Sequence, residues 1–213
     1  MLEVTMNQQS LEEIAANRLA LDFVNLAFAP GDPTPRQVSW PQLIDFLTRK
    51  KIVSPERTEQ LEVLPNENAA AAQTLLVAAE ELSDAMRQCF RCLLRGRRIA
   101  PEWVEPINRI LRVTEGHDEL EWDGNQWRLG FVAKDEGLEW LLASIARSGA
   151  ELIAEGPTGN LRQCDGARCE LLYYDDSETH RRRWCAMSVC GNRSKVAAFT
   201  RRRGGLKARA HHA

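Results

Sequence analysis

Four thiols stand in a repeated spacing near the end of the chain. Cys164 and Cys169 form one close pair, Cys185 and Cys190 the other, with four residues inside each pair and fifteen between the pairs. One tight loop can present the two thiolates of a pair, and the spacer is long enough for a short hairpin that brings the pairs together. Tetrahedral Zn2+, with Zn–S bonds of about 2.3 Å, needs such an arrangement. Four sulfur ligands leave no position for water or substrate, so the expected role of a single Zn2+ here is structural. Gly166 and Gly191 supply backbone freedom beside the first and last cysteines. His180 lies between the pairs, but the four cysteines already complete a shell. Cys89 and Cys92, three residues apart on a helical stretch, lack partner ligands and read as small buried thiols.

The second pair sits in the most positive stretch of the sequence, "RRRWCAMSVCGNRSK". From Leu161 onward 12 Lys or Arg stand against 5 Asp or Glu, whereas residues 1–160 carry 16 against 25. The balances of +7 and −9 are hidden in a formal net charge of −2. Arg181, Arg182, Arg183, Arg193, Lys195, Arg201, Arg202 and Arg203 are therefore the candidate nucleic-acid-binding residues. Such cations neutralise phosphates and release counterions, and arginine can also pair with guanine edges. "NRSKVAAFTRRR" reads as a short helix capped by Asn192 that displays cations along one side. A plainer account competes with this one. Zn2+ with four thiolates carries a formal charge of −2, which nearby arginines would offset, and the basic tail would simply be solvated.

The elements that must position these residues are mostly helical. "SLEEIAANRLALDFVNLAF" carries helical periodicity over most of its length, with Ser10 and Glu13 fitting a capping box or entry equally nearer Leu19, and the proline-rich stretch at 30–35 breaks it. Ser39 and Ser54, each close to a proline, mark two further helix starts. Glu67 to Arg95 is the longest helical candidate, and "PEWVEPINRILRV" a shorter one containing Pro106. Alternation at Leu120 and Trp122, then at Trp127, Leu129 and Phe131, around Asp123-Gly124-Asn125, predicts a β-hairpin. Helical periodicity returns from Asp135 to Glu155, and "ELLYYD" (Glu170–Asp175) suits a strand. "GPTGN" is the best linker, which places the domains at 1–156 and 157–213. The expected fold is mainly α: a helical N-terminal domain with one hairpin, then a small zinc-stabilised module of treble or ribbon type ending in a short helix. A segment of about 50 residues has too little core to fold alone, so metal would supply much of its folding free energy.

No run of about 18 apolar residues is present, so no membrane-spanning helix is expected. The N-terminus has no basic start followed by an apolar core, and a cytoplasmic location is the expectation. The sequence holds no G-x-S-x-G, phosphate-cradling glycine loop or H-E-x-x-H, and no enzymatic activity is expected. Asp22 and Asn25 are polar residues in an apolar helix and admit two accounts, a catalytic carboxylate site or hydrogen bonds to a neighbouring segment. The dispersal of the tryptophans over helices and hairpin favours packing over a ligand pocket.

The second cysteine pair resembles the defining motif of the CGNR zinc-finger family. Cys190, Gly191, Asn192 and Arg193 match its core, Lys195 the basic residue after it, and Arg182-Arg183-Trp184-Cys185 the approach. Tyr173, Asp175 and Ser177 match an upstream aromatic-x-Asp-x-Ser element, whereas Glu178 and Thr179 depart from the basic residue and asparagine usual there. "LALDFVN", the Trp-rich hairpin and "LLASIARSGAELI" resemble the ABATE domain often joined to this finger, a stress-linked regulatory domain. The resemblance implies a DNA-binding transcription regulator whose N-terminal domain senses a small-molecule or protein effector, with a homodimer allowed. The alternative is a zinc-stabilised protein-interaction module without DNA binding, and an enzyme in the N-terminal domain ranks third.

Overall fold

The computed structural model describes residues 18–113, 116–122, 127–133, 137–156 and 159–210. The expected capping box at Ser10 and the hairpin turn at 123–125 lie outside them. Within them the chain is mostly helical, with two small antiparallel sheets.

Local signals set most of the helix starts. The first helix, α1 (Leu19–Asn25), buries Ala20, Leu21, Phe23 and Val24 and ends ahead of the proline-rich stretch. Helix α2 (Trp40–Arg49) starts at Ser39, whose backbone N–H donates to Gln42 Oε1 at 2.9 Å. Helix α3 (Pro55–Glu67) starts at Ser54, whose Oγ accepts from the Arg57 N–H at 3.2 Å. The long helix expected from Glu67 begins two residues later, as α4 (Ala69–Leu94). Asn68 leaves helical geometry at φ −146°, and its side chain accepts from the Ala71 N–H at 3.0 Å. One residue thus ends α3 and caps α4. Past the end of α4, Gly96 takes φ +59°, the left-handed conformation usual after a helix C-terminus.

Helix α5 (Pro101–Val113) continues through Pro106. Strands β1 (Gly116–Trp122) and β2 (Trp127–Ala133) pair antiparallel, with Leu120 opposite Leu129 and Trp122 opposite Trp127. The helix expected from Asp135 is in its described part a 3-10 turn (Glu139–Leu142) followed by α6 (Ala143–Glu155). Strands β3 (Leu161–Gln163) and β4 (Leu172–Tyr174) form the second sheet. A π-helical turn (Met187–Gly191) leads into α7 (Asn192–Ala210). Asn192 is not the N-cap expected of it. The helical path enters earlier, after the extended Ala186, and the Asn192 amide donates back to the Ser188 carbonyl at 3.2 Å.

The chain divides into two compact units. One spans Val38–Gly156, and the other joins the described residues up to Gln37 with those from Pro157 on. α1 and the loop after it belong with the cysteine-bearing unit. The first unit is built on buried Leu43, Ile44 and Leu47 of α2, Leu75, Leu82, Met86 and Phe90 of α4, Ile107 and Ile110 of α5, and Leu142 and Ile145. Burying a side chain of this size contributes about 1.5–3 kcal/mol each. The second unit is centred on the four cysteines with Leu171 and Tyr173, against which Phe28, Trp184, Ala186 and Val189 pack.

Candidate metal centre

The β3–β4 hairpin positions the first cysteine pair. Cys164 follows β3, and its N–H donates to the Leu171 carbonyl at 3.0 Å, extending the ladder past the strand. The Cys169 N–H donates to Gly166 O at 3.0 Å and closes the turn. The hairpin therefore holds the first pair in its own connection, where the spacing alone suggested a hairpin between the pairs. The second pair comes from the segment after Arg183. The Cys185 N–H donates to Cys164 Sγ at 3.2 Å, and Cys190 is carried in by the π turn.

Four buried sulfurs converge, all within 4.8 Å of one another. Cys169 Sγ lies 3.9 Å from Cys185 Sγ, and Cys185 Sγ lies 3.7 Å from Cys190 Sγ. Zn–S bonds of about 2.3 Å in a regular tetrahedron require S···S edges of about 3.8 Å. The residues thus fit one structural Zn2+ with a closed shell of thiolates. Gly166 makes room for this: a Cβ there would lie 2.9 Å from Cys190 Sγ and 3.3 Å from Cys164 Sγ.

Without metal, the thiols compete for protons. Hydrogen bonding with Cys164 and Cys185 outweighs burial and pushes Cys169 down to about 2. Burial and the neighbouring Cys169 and Cys164 push Cys190 up to about 12. Cys185 is raised, first because it donates to Cys164 and Cys169. Thiolate ligands must give up their protons to bind a dication, so metal uptake at this cluster depends on pH.

Asp175 anchors the approach to the second pair. Its fully buried carboxylate accepts from Ser177 Oγ at 2.6 Å, the Ser177 N–H at 3.3 Å and the Arg182 N–H at 3.1 Å, with Arg162 Nε at 3.3 Å. Burial works to raise its pKa, but these hydrogen bonds and the Arg162 charge prevail and hold it below the ordinary carboxylate range. Tyr173 donates its O–H to Arg182 O at 2.7 Å, and burial pushes its pKa up to about 12.

The candidate cations have unequal surroundings. The Arg182 guanidinium lies 4.5 Å above the Tyr173 ring and donates to the carbonyls of Trp184 and Cys185. Arg193 Nη1 donates to Pro30 O at 3.0 Å. Arg183 pairs with Asp165 at 2.9 Å and lies over Trp184. Arg181, Lys195 and Arg201 are exposed, and Arg202 and Arg203 fall on α7. A groove of about 570 Å³ is lined by the run Arg181–Ser188. Of the other candidates, His180 sits outside the sulfur cluster with φ +46° and Nδ1 3.1 Å from Asp175 O. Cys89 is buried, with Sγ 3.5 Å from the Trp103 carbonyl, and burial pushes its pKa up to about 11.

Asn25 has a structural assignment. Its amide donates to Leu172 O at 2.7 Å, and its Oδ1 accepts from the Leu172 N–H at 3.0 Å. This pair of bonds mimics a neighbouring strand on β4. Asp22, in the same helix, is half-buried. Asp175 is legible only through the aromatic-x-Asp-x-Ser element, and no local signal links Asn25 to a partner 147 residues away. Trp40, the one buried tryptophan among the described side chains, donates from Nε1 to Leu61 O at 2.9 Å, a packing role.

Two family models match the chain. Residues 17–156 match ABATE, described as "Putative stress-induced transcription regulator", and residues 160–203 match the CGNR zinc finger. No curated protein matches. Neither family is an enzymatic one, and no described helix is long and apolar enough to cross a membrane.

Proposed function

The chain belongs to the ABATE family, with a CGNR zinc finger behind it, and on that premise we propose that it is a zinc-containing regulator that binds duplex DNA. The observation that carries this reading is the set of exposed cations Arg181, Lys195 and Arg201, with the groove at 181–188, on a module pinned by four thiolates. A rigid scaffold holds such cations in place, so less ordering entropy is lost on meeting phosphates. The −2 charge of the metal centre needs fewer arginines than the module carries, and Arg182 already donates to a cysteine carbonyl beside it. Zn2+ is scaffold in this reading and takes no part in chemistry. The N-terminal domain senses an effector, and the protein works in the cytoplasm.

The test is fluorescence anisotropy of the full zinc-loaded chain with a labelled duplex over a salt series. Log affinity should fall linearly with log salt, by about 0.9 per neutralised phosphate. Replacing Arg181, Lys195 and Arg201 together by alanine should shallow that slope by up to about 3. Absence of salt-dependent affinity would end the proposal. A protein-interaction reading draws on one specific observation, the exposure of Met187 (51%), which lines the same groove, and of Val196 (65%) on α7. Retained function in the triple variant would favour it.

A further inference from the structure

The segment that delivers Cys185 is neither helix nor strand, yet its backbone is tied at every carbonyl. From Arg182 to Cys185 the carbonyls accept, in order, from the Tyr173 hydroxyl at 2.7 Å, the Asp165 N–H at 2.8 Å, Arg182 Nε at 3.1 Å and Arg182 Nη2. Two N–H groups of the stretch are held as well. That of Arg182 donates to the buried Asp175 carboxylate at 3.1 Å, and that of Cys185 to Cys164 Sγ at 3.2 Å. Tyr173 is fully buried in the cysteine cluster, and its ring lies 4.5 Å from the Arg182 guanidinium. One arginine therefore spans the ring and the two carbonyls that end at the third cysteine.

We infer that Arg182 and Tyr173, anchored by Asp175, are positioning residues for the ligand Cys185: a clamp that sets the backbone there in the geometry the metal needs. Irregular backbone has no ladder of its own, so side chains must supply the partners that hold a ligand to within about 0.5 Å. A planar guanidinium presents several donors in a fixed fork, so Arg182 holds two successive carbonyls at once, which a flexible ammonium does less rigidly. The clamp reaches the sulfurs through the Cys185 N–H on Cys164 Sγ, where the Gly166 N–H also donates at 3.4 Å. Donors aimed at a thiolate stabilise its charge and fix its direction. Movement of the backbone at Cys185 is therefore felt by two ligands, Cys185 itself and Cys164. Arg182 then acts inside the module, and its guanidinium does not meet phosphate. The same stretch lines the groove at 181–188, so the clamp shapes that wall too.

The inference rests on the four-thiolate zinc centre and not on DNA binding. It is tested with the full chain loaded with Zn2+ or Co2+. Arg182→Met keeps much of the side chain's length and removes its donors. Zn2+ should then pass to a chromogenic chelator faster, with affinity lowered about 10–100-fold, the usual cost of removing an outer-shell partner. In the Co2+ form, displacement of Cys185 should shift the visible ligand-field bands, which report the tetrahedron and which a general loss of stability leaves in place. Arg182→Lys keeps the charge but not the fork and should recover only part of the affinity. Full recovery by lysine would assign Arg182 to charge compensation and overturn the clamp. Arg36→Ala, whose side chain is 65% exposed, should match the parent chain. An Arg182→Met chain with the parent's release rate and Co2+ bands would overturn the inference. If that variant does not fold, Tyr173→Phe decides: it deletes only the hydroxyl on Arg182 O and should release Zn2+ at least about tenfold faster. Release within twofold of the parent rate would overturn it equally. A parent chain that takes up no Co2+ would sink the zinc centre and the clamp together, whereas failure of duplex binding would leave both standing.

Discussion

At Gly166 a Cβ would lie 2.9 Å from Cys190 Sγ and 3.0 Å from Cys190 Cβ, closer than real Cβ atoms come. Backbone atoms of the turn and a metal ligand would have to separate, and neither is the far end of a flexible side chain. Overpacking of this kind costs about 1–3 kcal/mol. Gly166→Ala should therefore weaken Zn2+ binding about ten- to hundredfold in a chelator competition, without loss of the helical signal from Val38–Gly156. Asp175 sets a second expectation. Its pKa is depressed in the folded chain, so its contribution is complete above the unfolded carboxylate value of about 3.9 and is lost as pH falls through its lower folded value. Asp175→Asn removes a buried charged acceptor of hydrogen bonds from Ser177 and Arg182 and should cost about 2 kcal/mol near neutral pH. The gap in melting temperature between parent and variant should close on acidification below about pH 4, which separates this effect from acid release of Zn2+, common to both chains.

Elements announced by a cap or a turn were readable from sequence; those made by distant partners were not. Ser39 and Ser54 with their prolines place α2 and α3, and the alternation on either side of Asp123-Gly124-Asn125 marks β1 and β2 as a hairpin. The cysteine spacing alone points to the metal centre. Asn68 is harder to single out, because Pro65 and Asn66 stand beside it and only the side chain's capping bond shows at which residue the helix restarts. Asn68→Ala should lower stability by about 1 kcal/mol in urea unfolding, and Asn68→Asp should restore most of it. The π turn before α7 has no sequence signature, since it exists to bring Cys190 into the cluster. Nor does α1 advertise its place. LALDFVN reads as any amphipathic helix until Asn25 is seen on Leu172, a partner fixed by tertiary structure.

Across the whole molecule, the charge reverses near the linker, but the packing does not follow the same division. Residues up to Gln37 join the unit from Pro157 on, so the cysteine-bearing unit is built from both ends of the described chain. A fragment starting at Pro157 would lack Asn25 and Pro30, which bond to Leu172 and Arg193, so duplex and metal measurements need the full chain. The two units also differ in what their cores are made of. The Val38–Gly156 unit buries Leu, Ile, Met and Phe from five helices, whereas four of the six buried residues at the centre of the other unit are the cysteines. Sulfurs without metal exchange a dication for protons and lose most of what holds that core together. Removing Zn2+ with a strong chelator should then abolish the unfolding transition of the cysteine-bearing unit and leave that of Val38–Gly156 within a few degrees. Reactivity of the cluster thiols toward a disulfide reagent follows the first, and far-ultraviolet helicity, carried mostly by Val38–Gly156, follows the second. A single transition that shifts as a whole on chelation would mean that the two units unfold together, and metal loading would then govern the stability of the entire chain.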